Sequence, residues 1–214
     1  ARMFEQLNSK DWILQAEALD YLSRYDVPAA GPVRAIVKSS SGNRWLQARA
    51  IVALTRISPT HAVPLATSCS TNPVVELRVA AAEICCELPA AKAAPIIKKL
   101  VTEKTPLVKY NALAAHARHL GRDAWKVAAP AMTNIPANCI EPATRALGWI
   151  GTEPALAKLG ELARQSKSLP AMLQGLQGVK NPALAPFYLE LATVAKGKLP
   201  IADVWQGLES CGND

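Results

Sequence analysis

The chain contains 214 residues, of which 50% are hydrophobic and only 5% aromatic, and it carries a formal net charge of +7. This length and apolar fraction are sufficient for a folded core, so they exclude an intrinsically disordered chain. No uninterrupted stretch of about 18 apolar residues occurs, so the sequence predicts no membrane-spanning helix.

One helical segment recurs along the whole chain at a nearly constant step. Copies start at residues 14, 46, 77, 108, 139, 171 and 203, which are 31 or 32 residues apart. The first, ninth and twelfth positions of a copy are apolar, and the fifth and eighth are small. One copy contains Leu46, Ala50, Ala53, Leu54 and Ile57 at these positions. They share one face of an α-helix, which we expect to be buried against neighbouring helices.

The copies vary at their small positions and at their N-terminal ends. The first copy has Tyr21 at its eighth position, whereas the copies from residues 171 and 203 use Gly175, Gly178 and Gly207. We expect these glycines to let a neighbouring helix approach closely. Asn43 stands three residues before its copy, where its side chain is predicted to cap the helix N-terminus.

A second apolar segment lies between consecutive copies, and most of these segments contain proline. Because proline removes a backbone hydrogen bond and bends a helix, we expect short or kinked helices here. Each repeat is therefore predicted to be a hairpin, with a first helix from this segment and a second helix from the recurring copy. The segments are residues 28–38, 61–69, 91–101, 124–132, 154–164 and 182–195.

The hairpin pattern resembles HEAT repeats, in the short form found in bacterial and phycobilin-lyase-like proteins. The residues that carry the likeness are Leu46, Gln47, Ala50, Ala53 and Leu54 in a second helix, and Ala93, Ala94, Pro95 and Ile96 in a first helix. The resemblance implies an all-α, right-handed α-α superhelix (a HEAT-like solenoid) of about six hairpins plus a terminal helix. We expect a single domain over residues 1–214, which is also compatible with one module of a larger protein.

In HEAT-like solenoids the second helices line the concave side, so their exposed face is the expected binding surface. We predict that this face consists of the fourth, seventh and eleventh positions of each copy, which we call the strip. Trp149, which we expect to be exposed, forms the best cluster with Arg118 and Arg145, because Trp and Arg are frequent at binding hot spots. Alternatively, Trp149 covers a neighbouring helix end. The candidate partner-binding residues are Arg56, Glu83, Glu87, Arg118, Arg145 and Trp149.

The basic excess is confined to the first two-thirds of the chain. Residues 1–140 contain 17 basic and 10 acidic side chains, whereas residues 141–214 contain 7 of each. Such a charge attracts nucleic acid, anionic lipid or an acidic protein, or it only favours solubility. The first helix of the third hairpin carries a basic spot, which is either a contact for an anionic surface or an ordinary solvated face. It consists of Lys92, Lys98, Lys99 and Lys104.

The mixed charge of the strip favours a non-catalytic scaffold that binds a protein or peptide and has no cofactor. A nucleic-acid groove would need Lys or Arg in most repeats, and Glu83 and Glu87 would repel phosphate. Two alternatives stay open. One is a nucleic-acid-binding HEAT-like protein similar to DNA glycosylases, with Glu83 or Glu87 acting beside Trp149. The other is a phycobilin-lyase-like enzyme.

His116 and His119 are the candidates for metal ligands, because they stand three residues apart on one predicted helix. Both occupy positions that are apolar in other copies, so the sequence favours a packed histidine pair over a metal site. The five cysteines are odd in number and lack a repeated spacing, so we expect reduced, mostly buried thiols and a cytoplasmic setting.

Overall fold

The fold is all-helical, as predicted. A computed structural model describes residues 2–24, 29–194 and 201–212, and the regular structure within these ranges consists of α-helices and short 3-10 turns. Residues 28 and 195, at the ends of two predicted segments, lie outside the described ranges. No helix within them is both long and apolar enough to cross a membrane. The helices are α1 (Arg2–Leu7), α2 (Trp12–Arg24), α3 (Ala30–Ser39), α4 (Arg44–Ile57), α5 (Ala62–Ser70), α6 (Val75–Cys85), α7 (Ala90–Leu100), α8 (Pro106–Leu120), α9 (Trp125–Ala128), α10 (Ile140–Ile150), α11 (Glu153–Arg164), α12 (Leu169–Leu176), α13 (Ala185–Val194) and α14 (Ile201–Gly212).

The helices alternate along the chain as the hairpin prediction requires. The seven predicted second helices correspond to the even-numbered helices from α2 to α14, and five first helices correspond to α3, α5, α7, α11 and α13. The fourth first segment differs from the prediction, because α9 has only four residues and a 3-10 turn follows it. Pro130 lies two residues after this end and lacks the N–H that a continuing helix would use, although α7 continues past Pro95.

The chain divides into two compact units, Ala1–Val108 and Lys109–Asp214. In the first, α2, α4 and α6 pack side by side, and α3, α5 and α7 pack on them as a second layer. In the second, α10 packs against α11 and α12, α11 also contacts α13, and α13 packs against α14. Each unit therefore buries apolar helix faces that an isolated hairpin would expose to water.

Most of the predicted contact positions are buried. Ala50, Ala53 and Leu54 lie in the core of the first unit. Tyr21, by contrast, is 46% exposed, because the helix before α2 is the six-residue α1, which covers only part of α2. Gly178 is also wrongly predicted: α12 ends at Leu176, and Gly178 lies in the following turn with a φ of 73°.

Glycine allows the close helix contacts that the small positions predicted. Gly175 of α12 faces α10, and a Cβ atom there would lie 2.1 Å from Thr144 Oγ1 and 2.3 Å from the carbonyl oxygen of Glu141. A Cβ atom on Gly207 of α14 would similarly lie 2.3 Å from the ring of Tyr188. Any larger side chain at these positions would push the paired helices apart.

In three copies, the polar side chain at the second position donates a hydrogen bond to a backbone carbonyl of the preceding segment. The sequence alone did not predict this contact. Gln15 Nε2 donates a hydrogen bond of 2.9 Å to the carbonyl oxygen of Leu7, and Gln47 Nε2 donates one of 3.3 Å to that of Val37. Arg78 likewise donates one of 2.8 Å to the carbonyl of Asn72. These acceptors lie at or near the ends of the preceding helices, where carbonyl groups lack partners within the helix.

Candidate functional site

In the first unit, the strip residues form ion pairs with one another between helices. Arg56 of α4 lies at the centre, with its Nε 2.8 Å from Glu87 Oε1 and its Nη1 3.2 Å from Asp20 Oδ1 of α2. Burial lowers the pKa of the Arg56 guanidinium, but the carboxylates of Glu87, Asp20 and Glu83 raise that pKa by more. Arg56 therefore carries its charge permanently and joins α2 and α4 to the turn that follows α6.

A second ion pair lies beside this network. Arg49 Nη1 of α4 lies 3.2 Å from Glu83 Oε2 of α6, and the Glu83 side chain is only 18% exposed. Glu83 and Glu87, the two carboxylates that a glycosylase-like activity would use, are thus both engaged by arginine. The charges of this part of the strip largely cancel.

The strip is less exposed than predicted, since several of its fourth and seventh positions are buried. The buried members are Val52, Ala80, Asn111, Ala114 and Pro142. Each second helix has neighbours on more than one side, as α4 contacts α2, α3, α5 and α6. The single exposed face that we predicted for such a helix is therefore narrower, and mainly the long charged side chains reach the surface.

In the second unit, Arg118 and Trp149 meet. The guanidinium carbon of Arg118, near the end of α8, lies 5.5 Å from the ring centroid of Trp149 on α10. This is within the range of a favourable cation–π contact. Trp149 was predicted to be exposed, but it is half-buried, because the side chain of Arg118 lies over its ring.

Arg118 remains exposed and keeps an uncompensated charge. Within the described part of the chain, no carboxylate forms an ion pair with its guanidinium. Arg145 differs, because its Nη2 lies 2.6 Å from Glu141 Oε1, one turn earlier on α10. Of the predicted cluster of three, the structure joins Arg118 to Trp149 and pairs Arg145 elsewhere.

Asn181 occupies a strip position but acts as a helix cap. Its Nδ2 donates hydrogen bonds of 2.7 Å to the carbonyl oxygen of Gly148 and 3.4 Å to that of Trp149, at the C-terminal end of α10. Its Oδ1 accepts a hydrogen bond of 3.1 Å from the backbone N–H of Ala183. Asn181 therefore holds the backbone beneath the Trp149 side chain, a role that sequence reasoning missed.

The two histidines predicted as weak metal-ligand candidates are half-buried on α8. Burial lowers the pKa of His116, and the neighbouring His119 lowers it further. Among the described residues, no group of three or more His, Cys, Asp or Glu side chains is placed to hold a metal ion. The pair thus favours the neutral form of His116.

All five cysteines are reduced thiols, as predicted, and four of them are buried. Burial raises the pKa of Cys69 to about 11 and that of Cys85 to about 12. Because the thiolate is the reactive form, these two thiols are poor nucleophiles in the folded protein.

The ion pairs of the first unit have a signature in the sequence. Arg56 and Glu87 are 31 residues apart, which is one repeat step, and Arg49 and Glu83 are 34 residues apart. Opposite charges at this separation on equivalent helix faces indicate a pair between neighbouring second helices. No comparable spacing identifies Arg118 and Trp149, because a cation–π contact also depends on ring orientation.

Comparisons with known proteins give no family. No protein-family model matches the chain, and no curated protein matches it. Among solved structures, the chain is similar to the crystal structure of an engineered protein from the Northeast Structural Genomics Consortium. That similarity covers 98% of this chain and 94% of the other, with 17% sequence identity and a TM-score of 0.39.

Proposed function

We propose that the chain is a non-catalytic scaffold that binds a protein or peptide partner through Arg118 and Trp149. In this proposal the hairpins continue as a right-handed HEAT-like solenoid, with the strip on its concave side. The constant step of 31 or 32 residues and the two layers of the first unit support a stack of equivalent hairpins. The observation that carries the binding proposal is the exposed Arg118 guanidinium above a half-buried tryptophan.

The chemistry of this pair favours a carboxylate on the partner. Arg118 has its guanidinium held against the Trp149 ring, so less side-chain freedom is lost when a partner binds. Its donors can form a bidentate pair with a carboxylate, and the ring offers apolar area beside it. The strip residues of the first unit, Arg56, Glu83 and Glu87, already have ion-pair partners within that unit.

Affinity capture from lysate of the native host tests this proposal. The comparison uses the wild-type chain, Arg118→Glu, and a matched Arg164→Glu control at an exposed position of α11. A partner of the strip should be recovered with the wild type and the control, and its affinity for Arg118→Glu should fall by about 30-fold or more. Equal recovery of every captured protein by Arg118→Glu would refute the assignment.

The nucleic-acid alternative makes a different prediction. Its binding would fall steeply with salt, because each phosphate contact releases a counterion. A gel shift with duplex and single-stranded DNA at two salt concentrations therefore separates it from protein binding. Salt-sensitive DNA binding that Arg118→Glu or Arg56→Glu abolishes would replace the scaffold proposal.

A further inference from the structure

The outer layer of the first unit is a basic surface that the strip does not use. This layer consists of α3, α5 and α7, which pack on α4 and α6. Every charged side chain on these three helices is a lysine or arginine. All of these cations are exposed: Arg34, Lys38, Lys92, Lys98 and Lys99. We call them the outer basic face.

Charge is thus segregated between the two layers of the first unit. In the inner layer, Arg49 and Arg56 form ion pairs with carboxylates of neighbouring elements. In the outer layer, none of the five cations forms an ion pair with a carboxylate from the described residues. The inner layer is close to neutral, and the outer basic face keeps its full positive charge.

The helices of this face bury their apolar sides and direct their cations away from the core. On α7 the buried residues are Ala93, Ile96, Ile97 and Leu100, which places Lys98 on the opposite side of the helix. On α3 the buried Val33 and Ile36 similarly place Lys38 outward. The exposed residues between the cations are small or rigid. Examples are Gly31, Ala91, Ala94 and Pro95.

We propose that the outer basic face binds an anionic membrane surface as a peripheral, electrostatic contact. Small residues between the lysines let a planar surface approach the cations closely. Fluid lipids can bring an anionic headgroup opposite each cation whatever its spacing, so no fixed ligand geometry is needed. Lysine and arginine near such a surface are attracted by its negative potential within a Debye length.

Two observations favour lipid over nucleic acid for this face. The sequences of α3, α5 and α7 contain no Trp, Tyr or Phe, so these helices offer no ring on which a base could stack. Four of the five cations are lysines, which act as flexible point charges and lack the bidentate fork of arginine. Exposed large apolar side chains, such as Trp12 and Trp205, lie on other helices, so binding without insertion into the bilayer is expected.

Co-sedimentation of the full chain with vesicles tests whether the outer basic face binds a membrane. Binding by this face is independent of any binding by the strip. One set of vesicles contains only phosphatidylcholine, and the other contains about 30% phosphatidylserine to supply negative surface potential. The test variant is Lys92→Glu/Lys98→Glu/Lys99→Glu. The control, Lys126→Glu/Lys167→Glu/Lys180→Glu, makes the same charge change at exposed positions of the second unit. Helix content from circular dichroism confirms that both variants fold.

The wild type and the control should bind the phosphatidylserine vesicles and not the neutral ones. Each lost cation should weaken vesicle binding about fivefold, so the three substitutions together should weaken it on the order of 100-fold. Raising salt from about 0.1 M to about 1 M should release the wild type, because the Debye length shortens to about 3 Å. Absence of wild-type binding, or equal loss in both variants, would overturn the proposal. Binding to a DNA duplex with the same lysine dependence, but not to vesicles, would assign the face to nucleic acid.

Discussion

Arg56 Nε donates a hydrogen bond of 2.8 Å to Glu87 Oε1, and the two residues are 31 positions apart in the chain. The separation equals one repeat step, so the bond joins corresponding positions of adjacent hairpins. Asp20 of α2 pairs with the same Arg56, and Glu83 of α6 pairs with Arg49 beside this network. Exposed ion pairs of this kind typically contribute about 0–1 kcal/mol each.

Arg56 and Glu87 should therefore show a measurable coupling energy in the free energy of unfolding. We expect a double-mutant cycle of Arg56→Gln and Glu87→Gln to give about 0.5–1 kcal/mol, since both side chains are partly exposed to solvent. The measurement is urea unfolding at low and high salt, with coupling weaker at high salt. A parallel cycle on Lys158 and Glu161, an ion pair within α11, should give a smaller value. Similar coupling in both pairs would contradict a role in joining hairpins.

Asn181→Ala should destabilise the second unit by about 1–2 kcal/mol, because it leaves the α10 carbonyl of Gly148 without its hydrogen bond. Urea unfolding followed by circular dichroism measures the change. Gln177→Ala, at an exposed position four residues earlier, serves as the control and should change stability by less than about 0.5 kcal/mol. If the two variants are equally stable, Asn181 does not act as a cap.

Gly175→Ala should destabilise the protein by about 1–3 kcal/mol, because its Cβ would overlap the Glu141 carbonyl in the α10–α12 contact. Gly160→Ala is the matched control, since its Cβ would meet only Arg164 Nη2 at an ordinary 3.6 Å. That control should be neutral or stabilising by about 0.5–1 kcal/mol, given the higher helix propensity of alanine. Thermal melts of both variants distinguish steric overlap from a general effect of alanine.

Stability should fall as the pH drops below the ordinary histidine pKa. Burial and His119 lower the pKa of folded His116 below 6.5, the value expected in the unfolded chain. At a pH between these two pKa values, the unfolded chain therefore binds more protons than the folded one. The free energy of unfolding should therefore be constant above about pH 7 and decrease as the pH falls toward the folded pKa. His116→Asn should flatten this dependence in urea titrations. An unchanged slope in the variant would show that another group controls it.

Thiol labelling should separate the cysteines by burial. With pKa values of about 11 and 12, Cys69 and Cys85 should react slowly with iodoacetamide at neutral pH, whereas half-buried Cys86 should react first. Mass spectrometry after a timed pulse identifies each labelled cysteine. All five should react readily once the chain is unfolded in urea. Rapid labelling of Cys85 in native buffer would mean that α6 opens locally.

Much of the fold could be predicted from the sequence, because helix formation leaves a local signature. The recurrence of apolar and small residues located all seven second helices, and the proline-containing segments located five first helices. The exceptions lie beside local signals as well: Pro130 follows the short α9, and Gly178 lies in the turn after α12. The candidate site was predicted less completely. Exposure of a residue such as Trp149 depends on which helix packs beside it, and helical periodicity carries no such information.

The sequence by itself determined that this chain is a series of helical hairpins with a nearly constant step. The reason is that the spacing of apolar and small residues that marks a helix can be read within one or two helical turns. Only the tertiary structure decided which charges remain available. It neutralised Glu83 and Glu87 with arginines from the neighbouring helix, and it covered Trp149 with Arg118. It also left the lysines of α7 without carboxylate partners among the described residues. The physical reason is that ion pairing and burial depend on distances between side chains far apart in sequence, which only the packing of helices sets.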